Sequence, residues 1–265
     1  GLRILTALEN KSWADLQSCE DWADRLNNEP IRTTVLRGWE NESVLYEIFY
    51  RLNSGSVKLA AREFRMSLLP GDFLKFIISW TESVGPIHHL LRKRHPDPRM
   101  SDVELAIRYL AFRDQQTQYT GDLKKFLDEF CKNKNIEFIN NPESIGNYQN
   151  LLMEMNEGIV VGLSEFGEQY FCRKYSNGKY EARFNRAVFD VLVGALSYND
   201  IREWVLKNPG KMKALYERVC DDNLDFVKSV ETTTKSPEAI RIRFGAWYKL
   251  ISENSGTRLS IPNVK

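Results

Sequence analysis

The chain has 265 residues, 42% of them hydrophobic and 28% charged. That is enough for one large or two modest domains with a core, and too apolar for a disordered chain. Its net charge of +1 gives no whole-molecule attraction to nucleic acid or acidic lipid, so such binding must come from local patches.

No run approaches the roughly 20 apolar residues of a membrane span, and no secretory signal is visible. Cys19, Cys131, Cys172 and Cys220 lack the paired spacing of a zinc ribbon or disulfide framework. The expected setting is a reducing cytoplasm, with no membrane partner.

Leu2 to Leu8 reads as a helix start, and Trp13, Leu16, Trp22 and Leu26 continue an amphipathic spacing. After Pro30, the β-branched alternation of Ile31–Arg37 predicts a strand. Val44, Leu45, Ile48, Phe49 and Leu52 form the face of a helix, which Asn53-Ser54-Gly55-Ser56 breaks. A second helix runs from Ala60 to Leu69 and stops at Pro70-Gly71.

From Gly71 the pattern is helical. Phe73, Phe76, Ile77 and Trp80 share one face, ended by Gly85-Pro86. Ser101 with Glu104 reads as a capping box opening a helix with Val103, Ile107 and Leu110, and Glu104 with Arg108 as an i,i+4 pair. Leu123, Phe126, Leu127 and Phe130 mark the next helix. Asn140-Asn141-Pro142 breaks it before another over about 142–157.

Asn177-Gly178 between aromatic flanks is a hairpin signal, with a simple loop as the alternative. Asn185 caps a helix with Val188, Phe189, Leu192, Val193 and Leu196 inward. Ser236-Pro237 starts a last helix, which Gly256 closes.

The loop at 53–56 offers backbone N–H groups beside a helix start, with Arg51 before it and Lys58, Arg62 and Arg65 after it. Two readings stand: a phosphate-binding turn, or an ordinary helix connection with solvated charges.

Phe49-Tyr50-Arg51-Leu52-Asn53-Ser54-Gly55, then Leu59 and Glu63-Phe64-Arg65, resembles the central motif of the prokaryotic ParB-like family with an Asp-Gly-Gln-Gln-Arg motif. That family forms the N-terminal half of GmrSD-type modification-dependent restriction enzymes. Arg99–Leu105, Arg108–Ala111 and Asn185–Leu196 are similar to its later helices, and Gly1–Leu8 to the tail of the Asp-Gly-Gln-Gln-Arg motif, whose Asp would precede Gly1. Ser56 stands where the family has a second Gly, and Phe64 where it has Leu.

The resemblance implies a mainly α chain: part of a small ParB-like α+β domain (1–70), then a larger all-helical domain (71–265). It implies a nucleotide site of Arg3, Thr6, Arg51, Asn53, Ser54 and Gly55, with arginine forks on phosphate. The ligand would be an NTP with Mg2+. No catalytic residue is identified.

His88, His89 and His95 are the only histidines, and none follows His95. The His-Asn-His nuclease half of such enzymes, which needs a His base, is therefore absent from this chain, and a separate nuclease or other defence subunit is the expected partner. Adjacent His88 and His89 face different ways, so no metal site is expected, only partly exposed packing.

Arg92, Lys93, Arg94 and Arg99 form the densest basic patch, a candidate grip on DNA phosphates or a solvated loop. Arg241, Arg243 and Lys249 read as a solvated face, the tryptophans mainly as core, and Asp102, Glu104, Asp114 and Asp122 as caps and surface charge. The rival to nucleotide binding is a non-catalytic helical module that docks a protein or DNA.

Overall fold

A computed structural model describes residues 61–232 and 234–265, and nearer the N-terminus residues 8, 11–18, 20–31, 33, 35, 37–38, 44 and 48. The chain divides into two compact units, Gly1–Phe49 and Tyr50–Lys265.

In the first unit, α1 (Trp13–Gln17) and α2 (Glu20–Asn27) are short. Ser12 and Asp15 close a capping box at the start of α1. The expected strand at 31–37 is not borne out among the described residues: 31, 33, 35 and 37 lie in no strand. Ile31 is 88% exposed and Val35 69%. Alternation specifies a strand only where a neighbour and a covering layer take up its apolar side, and these side chains face solvent.

The second unit is mainly α, as expected. Its helices are α3 (Ala61–Leu68), α4 (Asp72–Glu82), α5 (Pro86–Leu90), α6 (Ser101–Arg113), α7 (Leu123–Asn140) and α8 (Ser144–Phe166). After a hairpin, β1 (Arg173–Ser176) and β2 (Lys179–Phe184), come α9 (Arg186–Leu196), α10 (Asn199–Lys207), α11 (Lys211–Asp222), α12 (Leu224–Glu231) and α13 (Pro237–Ser255).

The hairpin settles the question left open at Asn177-Gly178. Both residues have positive φ, 50° and 75°, the geometry of a two-residue turn that suits the right-handed twist of paired strands.

The core is built around α9. Every residue from Ala187 to Leu196 is buried, the signature of a helix enclosed on all sides. Asn185 caps it by accepting from the N–H groups of Ala187 and Val188. The antiparallel neighbour α8 lies very close: a Cβ on Gly158 would sit 2.9 Å from the backbone carbon of Leu196. This close seat, completed by Gly162 against the Phe171 ring, explains why α8 runs on to Phe166 rather than ending near 157. Phe73 packs edge-to-face on Phe130, Phe138 and Tyr148 between α4, α7 and α8, with Phe138 and Tyr148 tilted against each other.

Several charges expected at the surface are inside. Ser101 and Glu104 form no capping box. The residue before α6 is Met100 in a left-handed conformation, and Glu104 reaches out to Arg65 at 2.5 Å. Arg65 is fully buried, with Asp128 as its second partner at 2.7 Å. Arg108 pairs with Asp190 in α9 rather than with Glu104.

Asp102 is buried and accepts from the backbone N–H groups of Asp97 and Val103. Asp122 caps α7 by accepting from the Lys125 N–H, whereas the Asp114 carboxylate accepts from the Thr117 N–H in the bend after α6 and pairs with the buried Lys134 Nζ at 3.2 Å. His88 is buried rather than partly exposed, and His89 is exposed. His88 Nδ1 accepts from Gly85 N–H at 3.0 Å, so Nε2 carries the hydrogen that it shares with Asp102 at 3.0 Å.

Candidate anion-binding pocket

A cavity of about 600 Å³ opens between the start of α9, the hairpin, α3, α6 and the turn after α12. Its walls carry six cationic side chains, Arg62, Arg108, Lys174, Arg183, Arg186 and Lys235, against three acidic ones, Glu104, Glu181 and Glu231. The acidic groups are already committed. Glu104 binds Arg65, and Glu181 and Glu231 both grip Lys174 Nζ at 2.6 Å. Among the described residues, Arg62, Arg183, Arg186 and Lys235 form no ion pair; Arg62 Nε donates instead to the Arg99 carbonyl.

Beneath the pocket lies a buried charge cluster. Arg108 donates to Asp190 through Nε at 2.5 Å and Nη2 at 2.6 Å, and Arg243 Nη2 to the same carboxylate at 3.0 Å. Arg243 is fully buried, and its Nε has no partner. Arg243 was expected on a solvated face, and Asp190 sits in an apolar helix; together with Arg108 they leave one net positive charge under the pocket floor. Burial pushes the Arg243 pKa down to about 10, despite Asp190. Arg186 at the rim is also shifted down, by partial burial and then by the charges of Arg108, Arg62 and Arg183.

Arg3, Thr6, Arg51, Asn53, Ser54 and Gly55 all lie outside the described residues. Arg92, Lys93, Arg94 and Arg99 sit in an exposed loop before α6. Lys93 faces Asp97 at 3.7 Å, and Arg99 pairs with Glu63 at 2.8 Å.

No family model, curated protein or solved structure matches the chain. Among the described residues no helix is long and apolar enough to cross a membrane, and no group of His, Cys, Asp and Glu could hold a metal ion. Cys131, Cys172 and Cys220 are buried free thiols.

Sequence reading missed Lys174, Arg183, Arg186 and Lys235 as site residues, because nothing local in their segments joins them. Asp190 did give a signal: a lone carboxylate inside Ala-Val-Phe-Asp-Val-Leu-Val demands a buried cationic partner.

Proposed function

We propose that this chain is a phosphate-ligand-binding module, a nucleotide being the ligand that fits the ParB-like, restriction-type resemblance, working with a separate nuclease. The observation that carries the reading is the pocket's charge: its carboxylates are spent on their own partners while four cations form no ion pair among the described residues. Guanidinium groups favour phosphate because their planar donors match its oxygens. The cavity volume also falls within the small-ligand range of about 300–1,000 Å³. Arg3, Thr6, Arg51, Asn53, Ser54 and Gly55 stay a separate proposal for nucleotide binding, resting on the family resemblance alone, and Mg2+ accompanies an NTP.

Calorimetric titration with ATP and Mg2+ tests it. Arg183→Glu/Arg186→Glu alters exposed side chains and should abolish binding without unfolding the chain. Loss only in Arg51→Ala or Asn53→Ala would move the site to the turn, and absence of binding by the native chain would end the reading. Phosphate release then decides between binding and turnover.

The second reading, a non-catalytic interaction module, draws on an apolar groove between α8 and α10. Val160 and Leu206 are 53% and 64% exposed there, beside Pro86. The exposed loop with Arg92, Lys93, Arg94 and Arg99 is the corresponding candidate for DNA.

A further inference from the structure

Resting on the phosphate reading above, we infer that the pocket takes a terminal phosphate, a monoester or end phosphoryl group with its oxygens free, rather than a bridging phosphodiester. Three features lead there. First, the α9 N-terminus is not the anchor: the Asn185 side chain already occupies the N–H groups of Ala187 and Val188, so binding falls to side chains.

Second, those side chains need more than one negative charge. Arg62, Arg183 and Arg186 line the same pocket and form no ion pair among the described residues, above a buried cluster holding two guanidiniums and one aspartate. A phosphodiester carries a single charge, whereas a phosphate monoester carries about −1.5 to −2 near neutral pH and offers three acceptor oxygens. Arg186 stays charged, and its pKa is shifted down by burial and then by the charges of Arg108 and Arg62, a crowding of like charge that a dianion offsets more than a monoanion does.

Third, a phosphate inside a strand must let the chain leave on both sides. This floor is closed by Arg108 over the buried Asp190 and Arg243.

A mononucleotide and the phosphorylated end of a nucleic-acid strand share this chemistry. The test is calorimetry on the whole chain with AMP, the methyl phosphodiester of AMP, and adenosine. AMP should bind about tenfold or more tightly than its methyl ester, the worth of one charge-assisted contact, and adenosine not detectably. Arg186→Gln should erase the AMP preference while the circular-dichroism melt stays unchanged.

Equal affinity for AMP and its methyl ester, or a preference that survives in both Arg186→Gln and Arg183→Gln, overturns the inference while leaving the phosphate reading intact. Absence of binding by all three and by ATP with Mg2+ overturns the phosphate reading itself. Competition by a short single-stranded DNA, with and without a 5′-phosphate, assigns the source. A gain from the phosphate points to a strand end, and competition by neither form points to the free nucleotide.

Discussion

Asp190→Asn probes the charge cluster under the pocket. The Asp190 carboxylate is fully buried and takes two donors from Arg108, at 2.5 and 2.6 Å, and one from Arg243 at 3.0 Å. An amide of the same shape keeps one acceptor oxygen and turns an NH2 toward guanidinium donors, so part of the set becomes donor against donor. Both guanidiniums also lose their countercharge. Charge-assisted hydrogen bonds are worth about 1.5–3 kcal/mol each, and removing one partner of a buried pair costs about 3–5 kcal/mol.

The expected loss is about 4 kcal/mol, against a usual total of about 5–15 kcal/mol. Urea unfolding followed by circular dichroism should show the midpoint fall by about 2 M for a slope near 2 kcal/mol/M. A loss below about 1 kcal/mol would refute the reasoning, since an uncompensated buried cation pair cannot be that cheap. The triple replacement Arg108→Met/Asp190→Leu/Arg243→Met separates causes: it removes every charge and should be much less destabilising than the single change.

Gly158→Ala should destabilise by about 1–3 kcal/mol in the same assay, because the new methyl meets the α9 backbone rather than a movable side chain. Asp102→Ala strips partners from His88 Nε2 and from the N–H groups of Asp97 and Val103, and should cost about 2–4 kcal/mol. Stability should also decline in alkali. Burial raises Cys131 and Cys220 from 9.0 to about 12, and Tyr109 and Tyr148 from 10.0 to about 12. The unfolded chain therefore releases these protons first, and stability intact below about pH 9 is lost as pH climbs toward 12. Arg243, lowered from 12.5 to about 10, acts oppositely in that window, as do the lowered Arg173 and Arg186, against a larger raised set that also includes Cys172, Tyr216 and Tyr248. Thermal melts across pH 8 to 11 check the sign, and a flat or rising melting temperature would contradict it.

Local chemistry was legible in the sequence where one short segment decides the outcome. The caps at Asn185 and Ser236-Pro237, the stop at Gly256 and the turn at Asn177-Gly178 all depend on nearby backbone groups. What depended on distant partners was not. Arg243 stands 53 residues from its carboxylate and Arg65 stands 63 from Asp128, so neither burial shows in its own helix. Ile31–Arg37 failed for the converse reason: its alternation was present, but the described residues have no strand beside them. The pocket gathers side chains from five separate segments, and only the folded chain reveals their common sign.

The hairpin turn has a consequence for protein engineering. Between Tyr180 and Phe184 the pairing is irregular, with Arg173 opposite Phe184 while Tyr175 opposes Tyr180. Lys174, Glu181 and Arg183 owe their placement on the cavity wall to that offset. Because side chains alternate across a ribbon, inserting one residue within β2 between Tyr180 and Arg183 would turn this wall out of phase with the arginines of α3 and α9. Such an insertion would leave composition and net charge almost untouched, yet change the shape and charge of the cavity wall.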